Sequence, residues 1–125
     1  MNNITMSRIL QSWFRDFTVT RQLTYRQGVQ ILLCDCHWVA LYIHNDTVDF
    51  FDSFGRNADY FNLRFSHVVN HSKKLQHRKS KVCGYYCLGF IHALLKGSLS
   101  VFWNMFSDDK LLNDERIVAY VHSHL

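Results

Sequence analysis

The chain has 125 residues, a formal net charge of +4, 48% hydrophobic and 15% aromatic residues, a composition that excludes a disordered polar tail and provides for one core. No apolar run approaches the ~20 residues of a membrane-spanning helix, and Met1–Thr5 lacks a basic region followed by an apolar stretch. The expectation is a single domain over residues 1–125, monomeric by default, in the nucleus or cytoplasm and not secreted, with Cys34, Cys36, Cys83 and Cys87 as free thiols.

Residues 4–17 place Ile4, Ile9, Leu10, Trp13, Phe14 and Phe17 at approximately helical spacing, which predicts an amphipathic helix. Val29 to Leu33 reads as a short strand. Cys34-Asp35-Cys36-His37 has the composition of a zinc cluster, but only one residue separates its cysteines where structural sites use about two to four, so no metal is expected. Val39 to Ile43 is an apolar strand, His44-Asn45-Asp46 carries turn chemistry, and Thr47 to Phe51 is a second strand, together a β-hairpin. Gly55 suits the positive φ that would end it. Residues 56–71 read as helical or irregular, and 72–81 as a basic loop. Cys83 to Lys96 keeps helical spacing through Cys87, Phe90, Ile91, Leu94 and Leu95, with Gly97 as its stop. A further helix is expected over 100–106. The last is expected from an Asn113 N-cap with Asp114 and Glu115 in its first turn.

The hairpin decides which acid can serve His37. If the turn centres between His44 and Asn45, Asp52 lies directly opposite His37; if it centres between Asn45 and Asp46, Asp52 is the diagonal neighbour. Either register puts both side chains on one face and Asp49 on the other, because strand side chains alternate. Cys83 falls in the first turn of its predicted helix, where the positive end of the helix dipole favours a thiolate. Cys87, one turn later, joins the apolar stripe. A thiolate attacking a carbonyl creates an oxyanion that needs aimed donors, and the Gln76 amide, seven residues before Cys83, is a candidate alongside the Cys83 backbone N–H. Lys73, Lys74, Arg78, Lys79 and Lys81 crowd nine positions, either as a nucleic-acid patch or as a loop kept soluble by charge.

His37-Trp38, Phe51-Asp52-Ser53-Phe54-Gly55, Gln76 and Cys83-Gly84-Tyr85-Tyr86-Cys87 occur in this order. In these motifs the chain resembles the adenovirus protease (adenain) family, related to SUMO-deconjugating cysteine proteases. The likeness is greatest to the adenain-like proteases of Maverick/Polinton virus-like transposons and their viral relatives, and it covers roughly residues 37–121. The resemblance implies an α+β, papain-like fold whose central helix carries the nucleophile beside a small sheet. It implies a cysteine endopeptidase with His37, Asp52, Gln76 and Cys83 as histidine, acid, oxyanion glutamine and nucleophile, supported by Trp38 and Gly84. The implied substrates are capsid or core precursor polypeptides, and a virion is a further implied location. The alternatives are a ubiquitin-like-modifier deconjugating protease and an inactive derivative that binds DNA or protein. The chemistry requires no cofactor. A DNA or peptide activator is implied by the family, with DNA taken by the basic residues around Gln76. No cysteine lies between Asp52 and Gln76, so the family's covalent link to its activating peptide does not carry over. Val29 to Cys36 also departs from the family's polar, glycine-containing approach to the histidine.

Overall fold

The computed structural model describes all residues 1–125. Helix α1 (Asn3–Trp13) opens at Asn2, whose side chain accepts a hydrogen bond from the Thr5 backbone N–H at 2.9 Å. It buries Met6, Leu10 and Trp13. The helix stops four residues earlier than its spacing predicts: Phe14 turns extended, and Phe17 enters strand β1 (Phe17–Thr20), which pairs in parallel with β2 (Gly28–Cys34). Pairing of Phe17 with Val29 and Val19 with Ile31 outweighs continuation of a helix whose last apolar residues fit either period.

Strands β2, β3 (His37–His44) and β4 (Thr47–Phe51) form an antiparallel meander, and β5 (His67–Asn70) adds in parallel to β4. The five strands lie in chain order in one mixed sheet. Asp35 and Cys36 make the β2–β3 turn with φ of 47° and 66°, so the cluster that resembled metal ligands is a tight hairpin aiming His37. His44 pairs with Thr47 across Asn45-Asp46, the second of the two registers. Strand β5 and a 3₁₀ turn (Ala58–Phe61) occupy the region read as helical or irregular; every β5 residue is exposed, so no apolar alternation marked the strand.

The sheet separates two cores. On one face Leu32, Val39, Leu41, Ile43, Val48 and Phe50 are covered by Ala58 and Leu63. On the other, helix α2 (Cys83–Leu95) lies against Trp38, Ala40 and Phe51, with the Phe51 and Phe90 rings stacked at 4.7 Å. Leu88, Phe90 and Ile91 are fully buried, each contributing about 1.5–3 kcal/mol of apolar transfer. Helix α2 is enclosed by α1, α3 (Leu99–Asn104) and α4 (Lys110–Ser123). Gly89 lets α4 and α3 approach, since a Cβ there would sit 2.5 Å from Ile117 Cδ1 and 3.1 Å from Phe102 Cε1.

Helix α4 begins one turn before the predicted start. Asp109 caps it by accepting from the Leu112 N–H at 3.1 Å. Asn113 and Asp114 are buried inside the helix and face the loop that carries Gln76. The chain is thus a small α+β fold with a mixed sheet and four α-helices. No helix is long and apolar enough to cross a membrane.

Candidate active site

His37 starts β3 and Asp52 follows β4, on the shared face expected from strand parity. His37 Nε2 lies 2.5 Å from Asp52 Oδ1. That contact leaves Nδ1 for Cys83, and imidazole and thiol interact closely enough to shift each other's protonation. Asp49 sits on the opposite face, where it accepts from His44 and His71, both at 2.8 Å.

Asp52 is fully buried, and its carboxylate has four nitrogen partners. Oδ1 meets His37 Nε2 and accepts from the Phe54 N–H at 3.2 Å; Oδ2 accepts from the Arg56 N–H at 3.0 Å and from Arg56 Nε at 2.8 Å. Burial alone would push this carboxyl upward, but hydrogen bonds from His37 and Arg56 outweigh it and hold it below the ordinary carboxylate value. The imidazole stacks on Phe54, ring centroids 4.9 Å apart, while the Arg56 guanidinium lies 4.5 Å from the Tyr60 ring centroid and 5.0 Å from that of Phe61. Arg56 was not identified from the sequence. An arginine four residues beyond an aspartate has no signal of its own until the turn at Gly55, φ 84°, brings the two together.

Cys83 is the first residue of α2, preceded by Val82, which supplies no side-chain cap. The Tyr85 and Tyr86 N–H groups donate to the Val82 carbonyl at 3.0 and 3.2 Å, which leaves those of Cys83 and Gly84 for an anion. Burial raises the Cys83 thiol, but the His37 hydrogen bond and the backbone N–H groups of Trp38 and Gly84 bring it below the ordinary cysteine value. Burial also works against a charged His37, yet the bonds to Asp52 and Cys83 dominate and raise its pKa. Both shifts favour a thiolate–imidazolium pair. Cys87 is fully buried, and burial pushes its thiol well up, as befits a core residue. Burial and then Asp35 raise Cys34, while Cys36 is exposed; all four cysteines are free thiols.

Gln76 reaches the same cleft from the loop before α2. Its Oε1 accepts from Ser53 Oγ at 2.6 Å, and Nε2 donates to the Ser80 carbonyl at 3.1 Å. An amide NH₂ has two protons, so one remains for an oxyanion. The loop is fixed from three sides. Its Leu75 and Gln76 N–H groups donate to the Ser53 carbonyl at 2.9 and 3.1 Å, Asn113 Nδ2 donates to the Leu75 carbonyl at 3.1 Å, and the His77 N–H donates to Asp114 Oδ1 at 3.4 Å, an oxygen that also accepts from Tyr86 Oη at 2.9 Å. Burial, then Asp114, raises the Tyr86 phenol and keeps it a donor.

Trp38 Nε1 donates to the Met1 carbonyl at 3.0 Å, which draws the N-terminal segment over the helix start. Gly84 admits it: a Cβ there would lie 3.1–3.3 Å from atoms of Met6 and Met1. Met1 and Trp38 line with Cys83 a cleft of about 880 Å³. The basic residues do not form one patch. Arg78 and Lys81 line the cleft, whereas Lys73 packs its Nζ 4.5 Å from the Trp103 ring centroid, and Lys74 bridges to Phe54; Lys79 is exposed. No group of three or more His, Cys, Asp or Glu side chains is disposed to hold a metal ion. Compared with protein-family models and with the curated proteins, the chain finds no match.

Proposed function

We propose that the chain is a cysteine endopeptidase of the adenain-like kind, with a papain-like arrangement of sheet and central helix. One observation carries the reading: His37 is bonded to a buried, multiply bonded Asp52 and lines the same cleft as Cys83, which sits at a helix start without a side-chain cap. Nothing in the core requires those three groups to meet, and a buried carboxylate with a lowered pKa is costly unless its partners are held in place.

In this reading His37 Nδ1 takes the Cys83 proton, and the thiolate attacks a peptide carbonyl carbon. Gln76 Nε2 and the Cys83 backbone N–H hold the oxyanion. The C–N bond breaks as His37 returns its proton to the leaving amine, leaving a thioester. Water then attacks the thioester carbon with His37 again as base, releasing the carboxylic product and the thiol. Asp52 stays ionised and orients the imidazole throughout. Trp38 and Gly84 support the thiolate through their N–H groups. The resemblance in motifs makes polypeptide precursors of a capsid or core the proposed substrates.

The test is covalent labelling by a peptide vinyl sulfone ending in a small residue, mapped by mass spectrometry. Modification at Cys83 at near-neutral pH, lost in Cys83→Ala and strongly slowed in His37→Ala, is expected. Equal labelling of exposed Cys36 and Cys83, or no dependence on His37, would sink the reading and move a binding role ahead.

A further inference from the structure

We infer that the cleft selects polypeptides with acidic side chains flanking the scissile bond, an inference that rests on the peptidase reading. Three cations line the cleft from two separate walls: Arg21 from the turn after β1, and Arg78 and Lys81 from the loop between Gln76 and Cys83. No aspartate or glutamate lines it. None of the three cations is in an ion pair, whereas Arg26 and Arg56 each have a carboxylate. All three are exposed, so they keep their water until a ligand arrives.

Met1, Val19, Leu33, Trp38 and Phe54 give the cleft apolar walls around His37 and Cys83, and its remaining polar lining, including Asn2, Asn3 and Gln76, is uncharged. A cleft lined by apolar walls, three exposed cations and a cysteine suits an extended peptide whose central residues are small and whose flanking residues are acidic. A duplex nucleic acid would need a broad cationic face, and the remaining basic residues are spread instead, with Lys73 held over Trp103. Unpaired like charges in the cleft also repel lysine- or arginine-flanked peptides, so selection works in both directions. Rim charges act mainly on encounter and on salt dependence.

The experiment uses three matched fluorogenic peptide pools, each with a randomised Gly/Ala/Ser core flanked on both sides by Glu, Gln or Lys. Cleavage is measured with the wild-type chain, and binding by anisotropy with Cys83→Ser. At low salt the Glu pool should exceed the Gln pool by on the order of fivefold per flanking charge, the size of one solvent-exposed ion pair, and the gap should close at high salt. Arg21→Glu, Arg78→Glu and Lys81→Glu, alone and combined, should reverse the ranking of Glu and Lys pools. Equal binding of the three pools, or a ranking untouched by the triple reversal, overturns the inference. So does a duplex oligonucleotide that displaces the Glu pool with a steeper salt dependence, which would assign the cations to nucleic acid. Binding does not depend on catalysis. Glu-selective binding without cleavage or Cys83 labelling would keep the charge selection and discard the peptidase reading, whereas unselective cleavage would do the opposite.

Discussion

Asp52→Asn separates orientation from packing. In the native protein Oδ1 serves His37 Nε2 and the Phe54 N–H, while Oδ2 serves two donors of Arg56. An asparagine must put its NH₂ on one side. Toward Arg56 it would face two N–H groups at 2.8 and 3.0 Å, neither of which can become an acceptor. Toward His37 it loses only the 3.2 Å bond from Phe54, and the imidazole can accept by moving its own proton to Nδ1. The second arrangement wins. It places a proton on the nitrogen that must take one from Cys83, and the imidazolium also loses its counter-ion. Acyl transfer should fall by on the order of 10⁴, the effect of the same change in a serine-protease triad. Cys83 alkylation at neutral pH should slow in parallel, because burial, no longer offset by His37, raises the thiol. Stability should fall by only about 1.5–3 kcal/mol, the loss of a hydrogen bond to a charged group. Asp52→Ala, by contrast, strands all the donors and should cost about 3–5 kcal/mol. The assays are vinyl-sulfone labelling rate against pH and urea unfolding. An Asn variant that is folded and labels within a factor of ten of wild type would refute the role given to Asp52.

Three other outcomes are expected. Gln76→Ala should lower kcat by on the order of 10²–10³ with little change in KM, as loss of one oxyanion donor does, and a KM effect alone would make Gln76 a loop anchor through Ser53. Gly89→Ala should destabilise by about 1–3 kcal/mol through overpacking against Ile117 and Phe102, read as a lower urea midpoint with unchanged m. His92, buried beside Trp13 and bonded to Tyr120 Oη at 2.8 Å, is lowered to about 4, first by burial and then by His124 and Lys96. Its folded pKa lies below the unfolded 6.5, so the unfolded chain binds the proton first. Stability is full above pH 6.5 and falls by up to about 3 kcal/mol as pH drops toward 4. His92→Gln should flatten that part of the profile, and an unchanged slope between pH 6.5 and 4 would contradict the assignment.

How far the sequence reaches depends on whether a residue's partner is local. Asp52 could be paired with His37, and Asp49 set apart, because a two-residue turn and strand alternation fix parity without knowledge of the rest of the fold. Cys83 could be placed at a helix start because Cys87, Phe90, Ile91 and Leu94 keep one period for three turns. The same reasoning failed at Phe17, where Trp13, Phe14 and Phe17 satisfy a helix, and only parallel pairing with Val29 makes a strand. It failed at β5, whose side chains are exposed and whose order comes from backbone bonds to β4. It failed most instructively at Asn113 and Asp114. Both are good helix-start residues, so local chemistry made them a cap, but Asp109 already fills that role. They are buried polar groups whose hydrogen bonds run to Leu75, Ser107, His77 and Tyr86, partners 6 to 38 residues away.

That placement ties the candidate oxyanion donor to the far end of the molecule. Gln76 projects from a loop with no regular structure, and an unanchored loop would leave its amide free to rotate away. Ser53 holds the loop to the strand that leads to Asp52, Tyr86 holds it to the helix that carries Cys83, and Asn113 with Asp114 hold it to α4. Asp52, Cys83 and Gln76 are therefore positioned against one another through one hydrogen-bonded segment, residues 75–77. A substitution at Asn113, which does not line the cleft, should disturb Gln76 before it disturbs the contact between His37 and Asp52. Asn113→Ala should thus lower kcat while leaving the pH dependence of Cys83 alkylation in place. A shift of that pH profile in Asn113→Ala would show instead that the hairpin and the loop move as one body.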